Sequence, residues 1–364
     1  MTKSNKLTEI FEGLEDLRVN RTKKHPFISI ISIGFLGALS GIDNFVGLQD
    51  YAEANEEWLK QIIFLPNGVP SHDTMGRVFS MINVKKFHDC FLNFTSLLKD
   101  KTGGIISIDG KTMIPKNREN PLHVVSAWSE ENRLVLGQVR VDNKSNEITA
   151  ITEILDLLDI ENHIVTIDAM GCQKDIASKI ISQNGEYLLA LKGNQKSLYE
   201  DVKVYFDDNE FLSKCSYWEE FDKGHGRIEK RQCWATSNIS WLKKQHNWIG
   251  LRSIAIVKSE RTLKNKKTFD TRFYITSLPD EAERICAAAR SHWGIENKLH
   301  WTLDVVFNED KCQIRKDSAP EIMGIMRKWA LNVLNKTKGS ISLRRAMNKC
   351  CMSKKYICSV LQAI

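Results

Sequence analysis

Two short apolar runs in this chain each end on an aspartate, and that pair constrains the fold more than any other feature. The first is Gly104-Ile-Ile-Ser-Ile-Asp109-Gly-Lys-Thr-Met-Ile114 and the second is His163-Ile-Val-Thr-Ile-Asp168-Ala-Met-Gly171. Both are rich in isoleucine and too short for a helix, so each reads as a buried strand of about five residues. An ionised carboxylate at the end of a buried strand has to be paired, hydrogen-bonded or bound to a cation. Two strands of this kind predict one shared site.

The residues between and after them alternate. His123 to Trp128 and Leu134 to Val141 read as a hairpin around Ser129-Glu-Glu-Asn132. Glu147 to Leu158 is an amphipathic helix with Ile148, Ile151, Ile154, Leu155 and Leu158 on one face. The Asp168 strand, a helix over Lys174 to Ser182 and a strand over Glu186 to Leu191 follow, which makes the order β-β-β-α-β-α-β. From Lys196 to Asp270 the alternation stops. A helical start over Leu198 to Phe206 gives way to strand-like pieces carrying Trp218, Trp234, Trp241 and Trp248, which read as an insertion of largely β character. Arg272 to Leu278 resumes as a strand. Pro279-Asp-Glu281 opens one long helix to about Val306, and two more helices, Pro320 to Lys336 and Ser342 to about Ala363, close the chain.

The N-terminal quarter is helical. Phe27 to Ile42 carries no charge over 16 residues, short of the ~20 a membrane span needs. Its small residues Gly34, Gly37, Ala38 and Gly41 suit a tightly packed core helix, and no membrane role is expected. Helical spacing continues to Phe64. A turn-rich loop, Leu65 to Thr74, then supplies Ser71, Asp73 or Thr74 as cap for a helix over Met75 to Ile82 that carries Arg77. That helix is either the reading helix of a helix-turn-helix or a member of a plain bundle. After Val84 to Leu98, the stretch Lys99-Asp-Lys-Thr-Gly-Gly104 is the best linker candidate.

Charge separates the two ends. Residues 311–364 hold 12 Lys and Arg against Asp317 and Glu321, so with a net charge of +7 overall the other 310 residues sum to −3. A basic C-terminal end on a mildly acidic body suits either a polyanion-binding surface or a solvated helical face. The nine cysteines include no CxxC pair, which argues against a zinc module or a disulfide framework and fits a reducing compartment.

On the predicted long helix, His292, Glu296, His300 and Asp304 recur every four residues beside Trp293, Leu299 and Trp301. A zinc site on His292 and His300 would span two turns, about 12 Å at 1.5 Å per residue, and the HExxH pattern is absent. The alternative makes Glu296 a third carboxylate beside Asp109 and Asp168. Hard oxygen ligands favour magnesium or manganese, and three carboxylates can hold two such ions about 3.5–4 Å apart across a phosphodiester. A P-loop on Gly110-Lys111-Thr112 fails on spacing, because the required glycine position is Ile105. A paired-aspartate phosphatase fails because Lys111 stands where its second Asp would be.

Taken in order, His25-Pro26, Pro70-Ser-His-Asp-Thr74, Ile108-Asp-Gly-Lys111, Val165 to Gln173, Leu189 to Gln195, His225-Gly-Arg-Ile-Glu229, His292-Trp-Gly-Ile-Glu-Asn297 and Leu303 to Asp310 closely resemble the H-repeat-associated transposases of bacterial insertion sequences, a DDE class. The resemblance runs from about residue 10 to 360. It implies an α/β fold with a ribonuclease H-like core: a mixed five-stranded sheet flanked by helices, with an insertion at about 197–270 and a basic helical end at about 311–364. An all-α domain over 1–98 would precede the catalytic domain over 99–364. It also implies an Asp109, Asp168 and Glu296 triad that is both catalytic and metal-binding, with two Mg2+ ions for which Mn2+ can substitute. The implied reaction is cleavage of DNA at the element's ends and transfer of the freed 3′-hydroxyl into target DNA.

Lys111, Lys192, Asn194, Gln195, Arg290, His292, Lys298 and Arg315 are the candidate DNA contacts. Partners implied are terminal inverted repeats, target DNA and a second copy in a synaptic homodimer, in a bacterial cytoplasm at the nucleoid. Where relatives carry Arg four before and Lys seven after the glutamate, this chain has His292 and Leu303, so those end contacts do not carry over. A DNA-binding derivative without catalysis and a structure-selective nuclease are the alternative functions.

Overall fold

The computed structural model describes residues 9–11, 13–99, 103–113, 122–141, 146–224, 227–263 and 266–363. Residues 100–102 of the linker candidate, Ile114, and His225-Gly226 of the His225 to Glu229 motif lie outside them.

Four helices open the fold: α1 (Phe27–Leu39), α2 (Phe45–Ala54), α3 (His72–Met81) and α4 (Val84–Leu98). Side chains at the N-caps start three of them. Asn44 accepts from Gly47 N, Ser71 from Thr74 N and Asn83 from Lys86 N, each satisfying a backbone donor that the first turn leaves free. Helix α1 is buried from Ser29 to Leu39. Its glycines permit that burial, since a Cβ on Gly34 would run into the Phe79 ring and one on Gly37 into Leu48.

The sheet comprises β1 (Gly104–Met113), β2 (Leu122–Ser129), β3 (Leu134–Val141), β4 (His163–Ile167), β5 (Glu186–Leu191), β6 (Ser216–Gly224), β7 (Arg227–Thr236), β8 (Ser253–Leu263) and β9 (Lys266–Thr276). Nine strands run in one sheet in the order β3-β2-β1-β4-β5-β9-β8-β7-β6, with β1, β4 and β5 parallel and the other pairings antiparallel. This corrects the expected five-stranded sheet, while the insertion has the largely β character expected of it. Strands β6 to β8 extend the core sheet, because β9 pairs with β5 from Leu188↔Thr276 to Leu191↔Phe273 and with β8 along its whole length. The expected boundary at about residue 270 falls inside β9. Trp218 and Trp234 are half-buried on β6 and β7, Trp248 is buried, and Trp241 is exposed on a helix, Ser240–His246, rather than on a strand.

Helices α5 (Glu147–Leu157), α6 (Lys174–Ser182) and α7 (Lys196–Asp207) cover one face of the sheet through a core that includes Ile106, Ile108, Ile151, Ile154, Val165 and Ile176. On the other face the expected single helix over 281–306 is three segments: α8 (Ala282–Gly294), a π-helical stretch (Ile295–His300) and α9 (Trp301–Val305). Helices α10 (Ala319–Thr337), α11 (Leu343–Met352) and α12 (Lys354–Gln362) end the chain, with Ser353 breaking the expected last helix and capping α12 through Tyr356 N.

The basic C-terminal end is not simply a surface. Helix α10 is buried from Ala319 through Leu334 with few breaks, and Arg327 and Lys328 lie inside at 2% and 1% exposure. Its Trp329 packs against Phe11, Phe35, Phe87, Phe91 and Phe94 at ring separations of 5.3–5.9 Å. The N-terminal helices, the 295–307 segment and α10 to α12 thus share one hydrophobic core.

Candidate active site

The parallel ladder between β1 and β4 ends at Ile108↔Ile167, so Asp109 and Asp168 leave it side by side, on strands spaced about 4.8 Å apart. Beyond that point β1 continues while β4 stops, which opens a notch at Asp109. Asp168 Oδ1 accepts from Met170 N at 3.0 Å and Gly171 N at 3.4 Å, a turn that fixes its carboxylate. Asp109 Oδ1 accepts from its neighbour Gly110 N at 2.9 Å, and its Oδ2 lies 3.6 Å from His300 Nδ1.

Helix α8 is anchored over this notch. Ser107 Oγ donates to Ser291 O at 3.3 Å, Thr166 Oγ1 donates to Ser107 Oγ at 3.0 Å, and Thr166 Oγ1 stands 3.2 Å from His292 Nδ1. Glu296 follows on the first turn of the π-helical stretch, exposed and held by no hydrogen bond or ion pair among the described residues. Burial, then the charges of Asp168, Glu296 and Glu147, push the Asp109 carboxyl up to about 7 despite the lowering effect of the Gly110 N–H. The three sequence-predicted carboxylates therefore feel one another.

Glu147 was not singled out in the sequence. It opens α5 behind an Asn146 cap, and its carboxylate is held at 3.2 Å by His123, which stands 2.8 Å from Thr112. A Cβ on Gly110 would come within 2.6 Å of Glu147 Oε1, so Gly110 makes room for this carboxylate. The only signal available from sequence was an acidic residue at the start of the helix after the hairpin.

Most of the candidate DNA contacts have other partners. Lys111 is half-buried and bonds Asp304 Oδ1 at 2.5 Å and Glu309 Oε2 at 2.9 Å. Burial alone would raise the Glu309 carboxyl, but Lys328, Lys111 and Arg327 outweigh it and hold it near 2. This bracket ties the strand carrying Asp109 to the segment after Glu296. Asn194 Nδ2 donates to Ala169 O at 2.6 Å and Gln195 Nε2 to Cys172 O at 2.9 Å, bracing the Asp168 turn. Arg290 pairs with Glu220 and Asp222, and Lys298 pairs with Glu130. His292 is buried beneath the site, where desolvation lowers its imidazole to about 4, so it packs rather than meets a phosphate. Lys192 and Arg315 are exposed.

The two-histidine zinc reading also fails, since His292 is bonded to Thr166 while His300 faces Asp109. Burial, with Lys111 and Lys328 nearby, lowers His300 to about 3 and keeps it neutral. Among the described residues no three His, Cys, Asp or Glu side chains are grouped closely enough, as they stand, to hold a metal ion.

A family model described as the transposase DDE domain matches residues 101–333, and one described as DDE_Tnp_1-associated matches residues 8–95. The chain belongs to the DDE transposases. It is 38% identical over 370 residues to an H repeat-associated putative transposase, YhhI, of Escherichia coli strain K12, covering 98% of this chain and 97% of the relative. A putative transposase of E. coli O157:H7, YncI, is 38% identical over 361 residues, covering 94% and 92%. A solved piggyBac transposase synaptic complex with hairpin DNA aligns over 99% of this chain and 77% of that one at 10% identity and TM-score 0.49, too weak a likeness to assign a fold. This transposase is thus an insertion-sequence enzyme of DNA cleavage and strand transfer, from a family that uses divalent metal ions. No helix among its described residues is long and apolar enough to cross a membrane.

Proposed function

We propose that Asp109, Asp168 and Glu296 are the catalytic, metal-binding triad of a ribonuclease H-like core. The supporting observation is the β1/β4 register, which sets the two aspartates side by side beneath the helix that carries Glu296. The donor set fits a hard divalent cation, magnesium or in its place manganese, because it is made of carboxylate oxygens, and burial together with their mutual repulsion raises Asp109. Glu296, exposed and unattached, is the member that swings to complete it. Two such ions, when bound, supply positive charge to the attacking and leaving oxygens of a phosphodiester.

The chain's own residues do the positioning. Met170 and Gly171 N–H groups aim Asp168, and the Gly110 N–H aims Asp109. Neutral His300 adds no competing cation behind Asp109, and the Lys111–Asp304–Glu309 bracket holds the Glu296 segment against β1. Water is then the nucleophile that cuts the element's ends, and the freed 3′-hydroxyl is the nucleophile that attacks target DNA, with catalysis by placement and charge. A homodimer would synapse the two ends.

Asp168→Asn should abolish magnesium-dependent cleavage and strand transfer while end binding persists in a gel-shift assay. Retained cleavage in that variant would sink the triad.

A further inference from the structure

A groove separate from the carboxylates runs between the N-terminal helices and the segment that leads into α10. Phe45 on α2 and Ile314 line it, Arg77 on α3 stands on one side, and Arg315 and Lys316 stand on the other. All three cations are exposed, and among the described residues none has an acidic partner; Arg77 touches only Asp73 O and Thr74 Oγ1, at 3.3 and 3.4 Å. The acid in the lining, Asp73, lies 3.6 Å from His72, whose ring is bonded to Gln49. Arg290 and Lys298, by contrast, are paired with carboxylates. A groove with an apolar floor and three cations against one acid in its lining is complementary to a sugar–phosphate backbone.

Its location suits the same reading. Arg315 is six residues beyond Glu309, which is bonded to Lys111 on the Asp109 strand, so the rim that carries Arg315 and Lys316 continues from the segment packed beside that strand. Ser318 N, bonded to Ser80 O at 3.4 Å, fixes the segment to the end of α3.

We propose that this groove grips the phosphate backbone of duplex DNA flanking the scissile site, with Arg77, Arg315 and Lys316 as phosphate contacts. The proposal rests on the transposase reading and extends it to a surface that spans the N-terminal helices and the catalytic part. The test measures equilibrium binding of a duplex taken from the DNA flanking the gene, over a range of salt concentrations. The exposed pair Arg77→Ala/Arg315→Ala should reduce the slope of log affinity against log salt by about 2 and weaken binding roughly ten- to hundredfold at 0.1 M salt. A control pair, Lys243→Ala/Lys244→Ala, removes equal charge from the 240–246 helix and should leave the slope as in the wild type.

If the wild type cuts flank DNA while the Arg77/Arg315 pair keeps its slope, the groove proposal falls and the transposase reading stands. Equal loss in the control pair also overturns the groove. Retained DNA affinity with lost self-association would give the groove to a second copy and overturn it too. A wild type that binds no duplex overturns both.

Discussion

At Asp109 several forces oppose one another. Burial and neighbouring carboxylates raise its pKa to about 7, while the Gly110 N–H favours its charged form. Because the folded value lies above the unfolded one, the folded chain binds a proton that the unfolded chain has released between about pH 4 and 7. Stability of the metal-free chain therefore falls as pH rises through that window. Asp109→Asn, which cannot ionise, should raise the Tm in chelator at pH 8 by a few degrees, the shift of about 1–2 kcal/mol in a chain this size, and should remove the further rise that magnesium gives the wild type. A lower Tm for this variant at pH 8 would show that the aspartate carboxylate is stabilising rather than strained. Lys111 shows how a residue's role can change between sequence and structure. As a strand-end lysine it looked like a phosphate contact, but its ammonium is held between Asp304 and Glu309, residues almost 200 positions away that no local pattern connects to it.

At the scale of elements, what could be read from sequence was what repeats locally. The two Asp strands, the hairpin, the helix over 147–157 and the Ser71 cap all follow from period, turn residues or capping chemistry over a few positions. The π-helical stretch from Ile295 to His300 did not. A π turn inserts one residue into a helical pattern, and the four-residue spacing from His292 to Asp304 carries no sign of it. Trp301 N–H reaches Glu296 O across that wider turn. The residues spaced by four still lie along one side of the helix, with His292 facing Thr166, His300 facing Asp109 and Asp304 facing Lys111. That the insertion joins the core sheet was hidden for a related reason. Strands β6 to β9 have ordinary β patterns, but whether they extend the core sheet depends on the β5–β9 pairing, which links residues more than 80 apart. Glu147 was missed because its approach to Gly110 is likewise tertiary.

For the molecule as a whole, one consequence is that the N-terminal helices are not an appendage. Trp329 of α10 is ringed by phenylalanines from residues 11 to 94, and Asn332 Nδ2 bonds Thr95 Oγ1 and Val135 O at 3.3 and 2.8 Å. Removing residues 1–98 would expose that face of α10, so the 99–364 fragment should be insoluble or proteolysed rapidly where the full chain resists; a stable, cooperatively unfolding fragment would contradict the shared core.

The central claim is that one site, made by two strands and a helix distant in sequence, performs metal-dependent chemistry on DNA. It is tested most directly by cleavage of flank DNA in magnesium by Glu296→Gln alongside Asp310→Asn, a nearby exposed acid. The account predicts a loss on the order of 10³ or more in the cleavage rate for Glu296→Gln, with Asp310→Asn close to the wild type. Full activity in Glu296→Gln together with loss in Asp310→Asn would contradict it.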